Sequence, residues 1–558
     1  MLYDGSKLKV IPLGGLNEIG KNMTVFEYND DIIIVDCGLA FPEDDMLGID
    51  LVIPDFSYLI ENKNKIRGLF LTHGHEDHIG AVSYLLREIK MPVYGTKLTM
   101  GLLESKLREH RVFDPNIIFC VNAGSTIKVG AFSIEFIRTN HSIADSVAFA
   151  IKTPVGMVVH SGDFKIDYTP IQGEVINLQR FAELGKQGVL LFMCESTNVE
   201  SKGYTASERT VGEMLKQVFI DSPNQRLIIA TFSSNIHRIQ QIIDFAFEYE
   251  RKVVIMGRSM VNAVDTANSL GYLALPENVL ISVDELKNYS PEKIVVITTG
   301  SQGEAMSALS RMVDCDHKQI EILPGDKIII SASSIPGNEK AISKVIDGLL
   351  KLGAEVVYEK LMDVHVSGHA KQEELKLMHM LLKPKYFVPI HGEYRHLMQH
   401  KDLAISLGMD KENIFLMSIG DVLEIDKKTA KIKESVTAGP VLIDGLGIGD
   451  VSSTVLHDRK VLSEDGLVIV MFGVDSLSGE LVGGPNIVTR GFVYMKKSDD
   501  LISGAKKIIN KTLDNINGNI KDNWVLVKSM IRETLRHYLW QLTKRNPMIL
   551  PLMIEVSC

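Results

Sequence analysis

At 558 residues the chain has room for two to four domains of about 100–200 residues, and its 45% hydrophobic and 23% charged content excludes a disordered or fibrous protein. No run approaches the roughly 18 apolar residues of a membrane helix, and the amino terminus lacks a basic-then-apolar secretory pattern. Five scattered cysteines without a CxxC pair argue against a disulfide framework or thiolate zinc knuckle and for a reducing cytoplasm, while the net charge of −10 leaves local recognition of a polyanion open.

From the amino terminus, Val10-Ile-Pro-Leu-Gly-Gly15 reads as a strand entering a turn and Ile32–Val35 as a short buried strand. The acidic loop from Glu43 to Asp50 either offers oxygen ligands to a hard cation or is simply solvated. Gly68–Leu71, Ser133–Ile137, Met157–Val159 and Val189–Phe192 continue the strand pattern, and Ile79, Val82, Leu85, Leu86 and Ile89 fall at helical spacing. That alternation predicts a layered α/β domain over residues 1–207. Over 208–355 the texture changes. Leu227–Phe232, Lys252–Met256, Ile294–Thr298 and Lys327–Ser331 are near-continuous apolar strands, each leading through Ser, Thr or Gly into a helical pattern, as in a doubly wound parallel sheet. Residues 356–449 return to shorter α/β segments, and 450–558 reads as a small α+β unit with helices near 498–515 and 523–543. Between 496 and 545, eleven Lys/Arg stand against five Asp/Glu, which is either a solvated helix face or one that contacts nucleic acid.

Between the strand ending at Leu71 and the helix expected from Ile79 stands His73-Gly-His75-Glu-Asp77-His78. A loop at a strand end aims four such side chains into one cleft, and imidazole nitrogens with a carboxylate suit Zn²⁺ or a similar divalent ion. Asp77 and His78 are adjacent and point in different directions, so one ion takes His73 and His75 while a second takes Asp77 and His78. Three histidines and an aspartate at these spacings are a set that a polar loop seldom assembles by chance.

His-x-His-x-Asp-His after a strand resembles the signature of the metallo-β-lactamase superfamily. Later elements follow in that family's order: His141 in Thr-Asn-His-Ser, Asp163 in His-Ser-Gly-Asp-Phe-Lys, and His391 in Pro-Ile-His-Gly-Glu. The resemblance implies an αββα sandwich in which His141 completes the first metal site, His391 the second, and Asp163 bridges both. It also implies a hydroxide between two ions as nucleophile, its pKa brought near neutrality by the metals. Asp163 and His391 are separated by 228 positions, the difference between the two residue numbers, far more than a compact domain of this kind requires. The doubly wound segment inserted there looks like the β-CASP group, whose members act on RNA or DNA.

Within that group, Leu13-Gly-Gly-Leu-Asn-Glu-Ile-Gly-Lys-Asn22, Phe41-Pro-Glu-Asp44, Gly257-Arg-Ser-Met260, Thr299-Gly-Ser-Gln-Gly-Glu304, Ser367-Gly-His369, Arg490-Gly-Phe-Val-Tyr494 and Arg545–Pro551 resemble bacterial ribonuclease J over essentially the whole chain. The implied activity is 5′-to-3′ exonuclease and endonuclease action on single-stranded RNA, in mRNA decay and rRNA maturation. By the same resemblance Asp77, Glu195 and His369 carry catalysis. Glu195, where that family usually has Asp, orients a metal-bound histidine. His369 sits beside the scissile phosphate, as a transition-state stabiliser or a proton donor to the leaving 3′-oxygen.

His365-Val366-Ser367-Gly368-His369 and the Thr231–Asn235 turn, with Ser233 and Asn235, resemble the family's phosphate pocket; hydroxyls, an amide and Gly N–H groups at strand–helix junctions cradle an anion. His237, Arg238 and Arg258 are either contacts to the RNA backbone or helix-start polar residues and a buried ion pair. The Gly300–Glu304 segment is either a tight turn or a nucleotide contact. The resemblance further implies two Zn²⁺, with Mn²⁺ or Mg²⁺ as alternatives in activity, and a structural Ca²⁺ involving Gly48, Asp50 and Asp444. It implies a homodimer or homotetramer supported by the C-terminal unit with Trp524 and Trp540, or a hetero-complex with a paralogue. A competing reading is a scaffold subunit that has lost its ligands; the intact ligand set favours an enzyme. A small-molecule metallohydrolase is disfavoured by the large insertion.

Overall fold

The computed structural model describes residues 6–556 except 44, 302–306, 333–337, 359–361, 363, 493–498 and 515–519. Gln302–Glu304 of the Thr299–Glu304 motif and Val493–Tyr494 of the Arg490–Tyr494 motif lie outside the described residues. Among the described residues, no helix is long and apolar enough to cross a membrane.

Two compact units divide the chain: residues 1–40 with 53–441, and residues 41–52 with 442–558. In the first unit an eight-stranded and a six-stranded sheet share one apolar core. Phe26, Ile33 and Phe70 of one sheet pack with Phe136, Phe149, Met193 and Val388 of the other, the arrangement of two layers each hiding its inner face. Helices Leu178–Gln187 and Gln372–Leu382 cover the outer face of the six-stranded sheet through Phe181, Leu184, Leu375 and Met378. The predicted αββα sandwich is therefore the observed one.

Its long insertion is a five-stranded, wholly parallel sheet in the order Lys252–Met256, Ile294–Thr298, Leu227–Ala230, Lys327–Ile330, Glu355–Tyr358. Apolar clusters lie on both faces, which is why these strands read as unbroken apolar runs instead of alternating ones. Leu227–Ala230 comes first in the chain yet lies in the middle. The Thr231–Asn235 turn at its carboxyl end therefore sits where the strand order reverses, the place where open α/β sheets bind ligands.

The insertion is bracketed by two neighbouring strands. Leu191–Glu195 leads out of the sandwich, and Tyr386–Ile390 returns beside it in parallel register, with Glu195 opposite Ile390. In the second unit, Leu467–Asp475 pairs antiparallel with Leu481–Arg490 and parallel with Met548–Val556. Helices Asp499–Asp514 and Trp524–Thr543 pack on that sheet through Ile509, Ile531 and Leu535. The loop 41–52 groups with this unit, and there Asp50 N donates to Ile443 O at 2.9 Å. By their contacts, loop 41–52 and residues 442–449 group with the second unit, whereas the sequence patterning includes them in 1–207 and 356–449.

Candidate metal centre

Strand Ile66–Phe70 ends against the sandwich core and delivers Thr72 and His73 into a buried loop. The helix expected from Ile79 is in fact two, a single turn Glu76–Ile79 and then Val82–Glu88. Acidic Glu76 and Asp77 occupy the first turn, where the helix dipole favours negative charge, so Asp77 and His78 are fixed by helix geometry. Gly38 makes room for this turn: a Cβ there would lie 1.6 Å from Asp77 O.

The predicted ligands converge in two groups, each with donor atoms within 4.8 Å of one another: His73, His75 and His141, and Asp77, His78, Asp163 and His391. In the first, His75 Nδ1 lies 3.0 Å from His73 Nε2 and 3.2 Å from His141 Nε2. In the second, His78 Nε2 lies 3.1 Å from Asp163 Oδ2, and His391 Nε2 lies 3.2 Å from Asp77 Oδ2. Asp163 Oδ2 also stands 3.8 Å from His73 Nε2 and 3.9 Å from His141 Nε2, placing this carboxylate between the groups.

Hydrogen bonds on the far ring atoms select the tautomers. His141 Nδ1 donates to Gly368 O at 2.7 Å, leaving Nε2 as a lone-pair donor toward the centre. His78 Nδ1 meets Asp36 Oδ2 at 2.8 Å, and Asp36 is itself held by Thr72 N and Thr72 Oγ1, both at 2.8 Å. Burial, and then the neighbouring imidazoles, push His73 and His141 well below the usual histidine range. Burial brings His75 to about 4. Burial also opposes charge on His78 and His391, but the carboxylates prevail: Asp163, Asp77 and Asp36 raise His78, and Asp163 and Asp77 bring His391 to about 10. Asp77 and Asp163 are held low by His78 and His391 against their burial.

These residues fit a pair of divalent ions. Tetrahedral ligands about 2.0–2.1 Å from zinc sit roughly 3.3 Å apart, which is the spacing of the nearest donor pairs. Three imidazoles turned on one point, beside the buried Asp163 and the part-exposed Asp77 carboxylates, form a donor set suited to a cation.

Glu195 and His369 stand beside this centre. Glu195 Oε2 accepts from His369 Nδ1 at 2.8 Å, while Oε1 accepts from Phe164 N at 3.1 Å and Ala370 N at 3.3 Å. The histidine it orients is thus His369, not one of the seven expected ligands. Burial disfavours the His369 imidazolium, yet Glu195 overrides it and raises the pKa. The side chain of His369 remains 22% exposed, so a substrate can reach it. Gly368 lies so close to His141 that a Cβ would sit 2.6 Å from the imidazole Cε1; the phosphate-type loop and the metal centre are one packed unit.

Other expected contacts are placed differently. Arg238 is fully buried, donating to Glu208 Oε1 at 2.7 Å and to Ser331 O at 2.5 Å; the buried ion pair prevails over the RNA-backbone contact. Asn235 caps the next helix by accepting from Arg238 N at 3.1 Å. His365 faces that guanidinium at 3.4 Å and is brought to about 3 by burial and then by Arg238, while Val366 is buried. Ser233 is half-buried in the turn at the end of the central strand. His237 lines, with His141 and Asn235, a cavity of about 180 Å³. Arg258 is exposed, 3.9 Å from Glu109. At the expected calcium position Asp50 Oδ2 accepts from Gly445 N at 2.8 Å, but Asp444 pairs with Arg459, whose guanidinium lies 2.8 Å from where a Gly48 Cβ would stand. A cation already sits there, and it is a side chain.

Sequence reasoning missed Asp36, Thr72, Thr197 and Asn198. Asp36 and Thr72 had a signal, each being a polar residue directly after an apolar strand. Thr197 Oγ1 lies 3.1 Å from His391 Nδ1, a contact across 194 residues that no local pattern announces.

Family models match four segments: the metallo-beta-lactamase superfamily over residues 16–180, the ribonuclease J beta-CASP domain over 224–349, the Zn-dependent metallo-hydrolase RNA specificity domain over 353–417, and the ribonuclease J C-terminal domain over 454–556. Ribonuclease J2 of Bacillus subtilis is 43% identical over 98% of this chain and 99% of its own length. Ribonuclease J 1 of Streptococcus pyogenes is 41% identical over 98% of each. A solved structure of a protein of unknown function from Enterococcus faecalis aligns with TM-score 0.54 and 18% identity, covering 75% of this chain and all of the other, which bears on fold alone.

Proposed function

The chain belongs to the ribonuclease J family, and we propose that it hydrolyses single-stranded RNA both from its 5′ end, in the 5′-to-3′ direction, and internally, in mRNA decay and rRNA maturation. The observation that carries this reading is the juxtaposition of two donor groups about Asp163 with the Glu195–His369 pair. His73, His75 and His141 would hold one divalent ion and Asp77, His78 and His391 the other, with Asp163 between; zinc suits this donor set, and Mn²⁺ or Mg²⁺ are alternatives in activity. Such ions lower the pKa of water towards neutrality and neutralise charge on the attacking and leaving oxygens.

The chain's own residues do the rest. Glu195 keeps a proton on His369, whose exposed imidazole delivers it to the leaving 3′-oxygen. Asp77 contributes its carboxylate to the second donor group. Ser367 and the Gly368 backbone seat a terminal 5′-phosphate, fixing the first linkage for cleavage; Ser233, Asn235 and His237 are assigned to the same role on the family resemblance. With no ligand position substituted, a scaffold role is disfavoured. We assign residues 1–207 and 356–449 to the catalytic sandwich and its linker, 208–355 to the insertion, and 450–558 to assembly as a homodimer, homotetramer or paralogue complex, in the cytoplasm.

A time course on one end-labelled RNA carrying a 5′-hydroxyl, monophosphate or triphosphate tests substrate, polarity and end preference together. Progressive loss of nucleotides from the monophosphorylated 5′ end, with about two divalent ions per chain, is the expected result. A metal-free protein with full activity, or decay from the 3′ end, would sink the reading.

A further inference from the structure

We infer that Asn198 is a specificity-determining positioning residue, which makes the Ser367 hydroxyl an obligatory hydrogen-bond donor and so tunes the neighbouring pocket to an anionic 5′-phosphate. The inference rests on the assignment of the Ser367 turn to that phosphate.

Four consecutive side chains, beginning with the last residue of strand Leu191–Glu195, each engage a different partner. Glu195 holds His369, and Thr197 holds His391. Ser196 Oγ lies 2.9 Å from Nδ1 of the buried His400, whose Nε2 lies 3.2 Å from His379 Nε2. Both of these histidines are pushed down by burial, so a neutral network anchors the segment to the helices behind it.

Asn198 follows on this rigid base. Its Nδ2 donates to Ser367 Oγ at 2.8 Å and to His369 O at 3.1 Å. Ser367 Oγ also accepts from His369 N at 3.1 Å. A hydroxyl has two acceptor positions and one donor, and both acceptor positions are filled. What the half-buried Ser367 has left to present is therefore its O–H. An anion accepts that bond; an amine or another N–H finds no lone pair. The amide nitrogen, with two hydrogens and no charge, is what fixes this polarity. A carboxylate in its place would accept the Ser367 proton, turn the hydroxyl inward and add negative charge beside the phosphate.

The test compares kcat/KM on one RNA bearing a 5′-monophosphate or a 5′-hydroxyl, for wild type, N198D, N198A, S367A and N198A/S367A. Metal content and melting temperature are recorded for each to separate folding from specificity. The near-isosteric N198D should lower the monophosphate-to-hydroxyl ratio by about tenfold or more, the scale of one hydrogen bond to a charged group. N198A should lower it less, and in the S367A background should lower it no further, because the effect acts through that hydroxyl. A preference that survives N198D, or an N198A effect that adds in full to that of S367A, overturns the inference while leaving the pocket intact. A wild-type ratio near one removes the phosphate assignment of Ser367 itself, and this inference with it.

Discussion

Replacing Glu195 by Gln isolates the contribution of one buried charge. The carboxylate is 1% exposed and 2.8 Å from His369 Nδ1, a charge-assisted contact worth about 1.5–3 kcal/mol. Gln keeps a carbonyl oxygen for Phe164 N and Ala370 N, which Glu195 Oε1 now serves. Its NH₂, however, faces Nδ1 and donates to it, so the imidazole becomes neutral with its proton on the other nitrogen. At about 1.4 kcal/mol per unit, the His369 pKa should fall by about one to two units. A raised histidine pKa gives acid competence that is full below that pKa and is lost as pH rises through it. The alkaline limb of the kcat profile in E195Q should therefore move to lower pH by that amount, with kcat on the former plateau reduced about tenfold to a hundredfold. Metal content should stay unchanged, since Glu195 orients His369 and not one of the seven ligands. Glu195→Asp withdraws the carboxylate by one methylene and should shift the limb less. Steady-state kinetics on 5′-monophosphorylated RNA across pH, with metal analysis of each variant, check this. An E195Q limb that stays where it was would refute the assignment of His369 as the titrating acid under Glu195 control.

The remaining expectations concern residues beside the centre. Asp36→Asn removes the acceptor of His78 Nδ1–H and should weaken metal retention about 10–100-fold, read by titration with a chelator; unchanged retention would mean that Asp36 serves only the loop. Arg238→Ala leaves Glu208 buried beside Lys165 without its main partner and should cost about 3–5 kcal/mol of stability, seen in denaturant unfolding. Loss of RNA affinity at undiminished stability would restore the phosphate-contact reading. Arg459→Ala frees Asp444 next to Asp50, so added Ca²⁺ should raise the melting temperature of the variant and not of wild type; the reverse would show that calcium and the guanidinium coexist.

How much of this could be read from the chain depends on the range of the interaction. The parallel insertion was legible because strands such as Ile294–Thr298, buried at every position, must be apolar throughout. The His73–His78 signature was legible because its ligands lie within one strand-end turn. Strand Met23–Tyr28 was not legible although every position is buried, since Thr24 and Glu27 interrupt its apolar run, and Val147–Ile151, unbroken but with two alanines, has a weak strand preference. Arg238 shows the complementary failure. A cation at a helix start beside a phosphate-type turn has two readings in sequence, and only the position of Glu208, 30 residues away, decides between them. Glu195 was identified as an orienting carboxylate, but its partner lies 174 residues on, beyond any spacing rule.

The placement of the insertion accounts for this pattern. The chain leaves the sandwich just after Glu195 and returns at His391, on strands paired with Glu195 opposite Ile390. Between them, strands from Leu227 to Tyr358 form a parallel sheet with apolar clusters on both faces, and helix Gln372–Leu382 packs back on the sandwich before His391, so the ends of the excursion are tied together by ladder hydrogen bonds and not by the inserted sheet's internal packing. The residues flanking that seam reach across 169 to 194 positions: Thr197 to His391, Asn198 to Ser367, and Glu195 to His369. Side chains that hold His391, the proposed proton donor His369 and the proposed phosphate turn at Ser367 therefore issue from one four-residue segment. On that proposal, the loops of the inserted sheet can vary while the seam keeps the site in register. Changes within the insertion should consequently alter KM and end preference more readily than metal content, whereas a change at Thr197, which holds His391, should reach metal content as well.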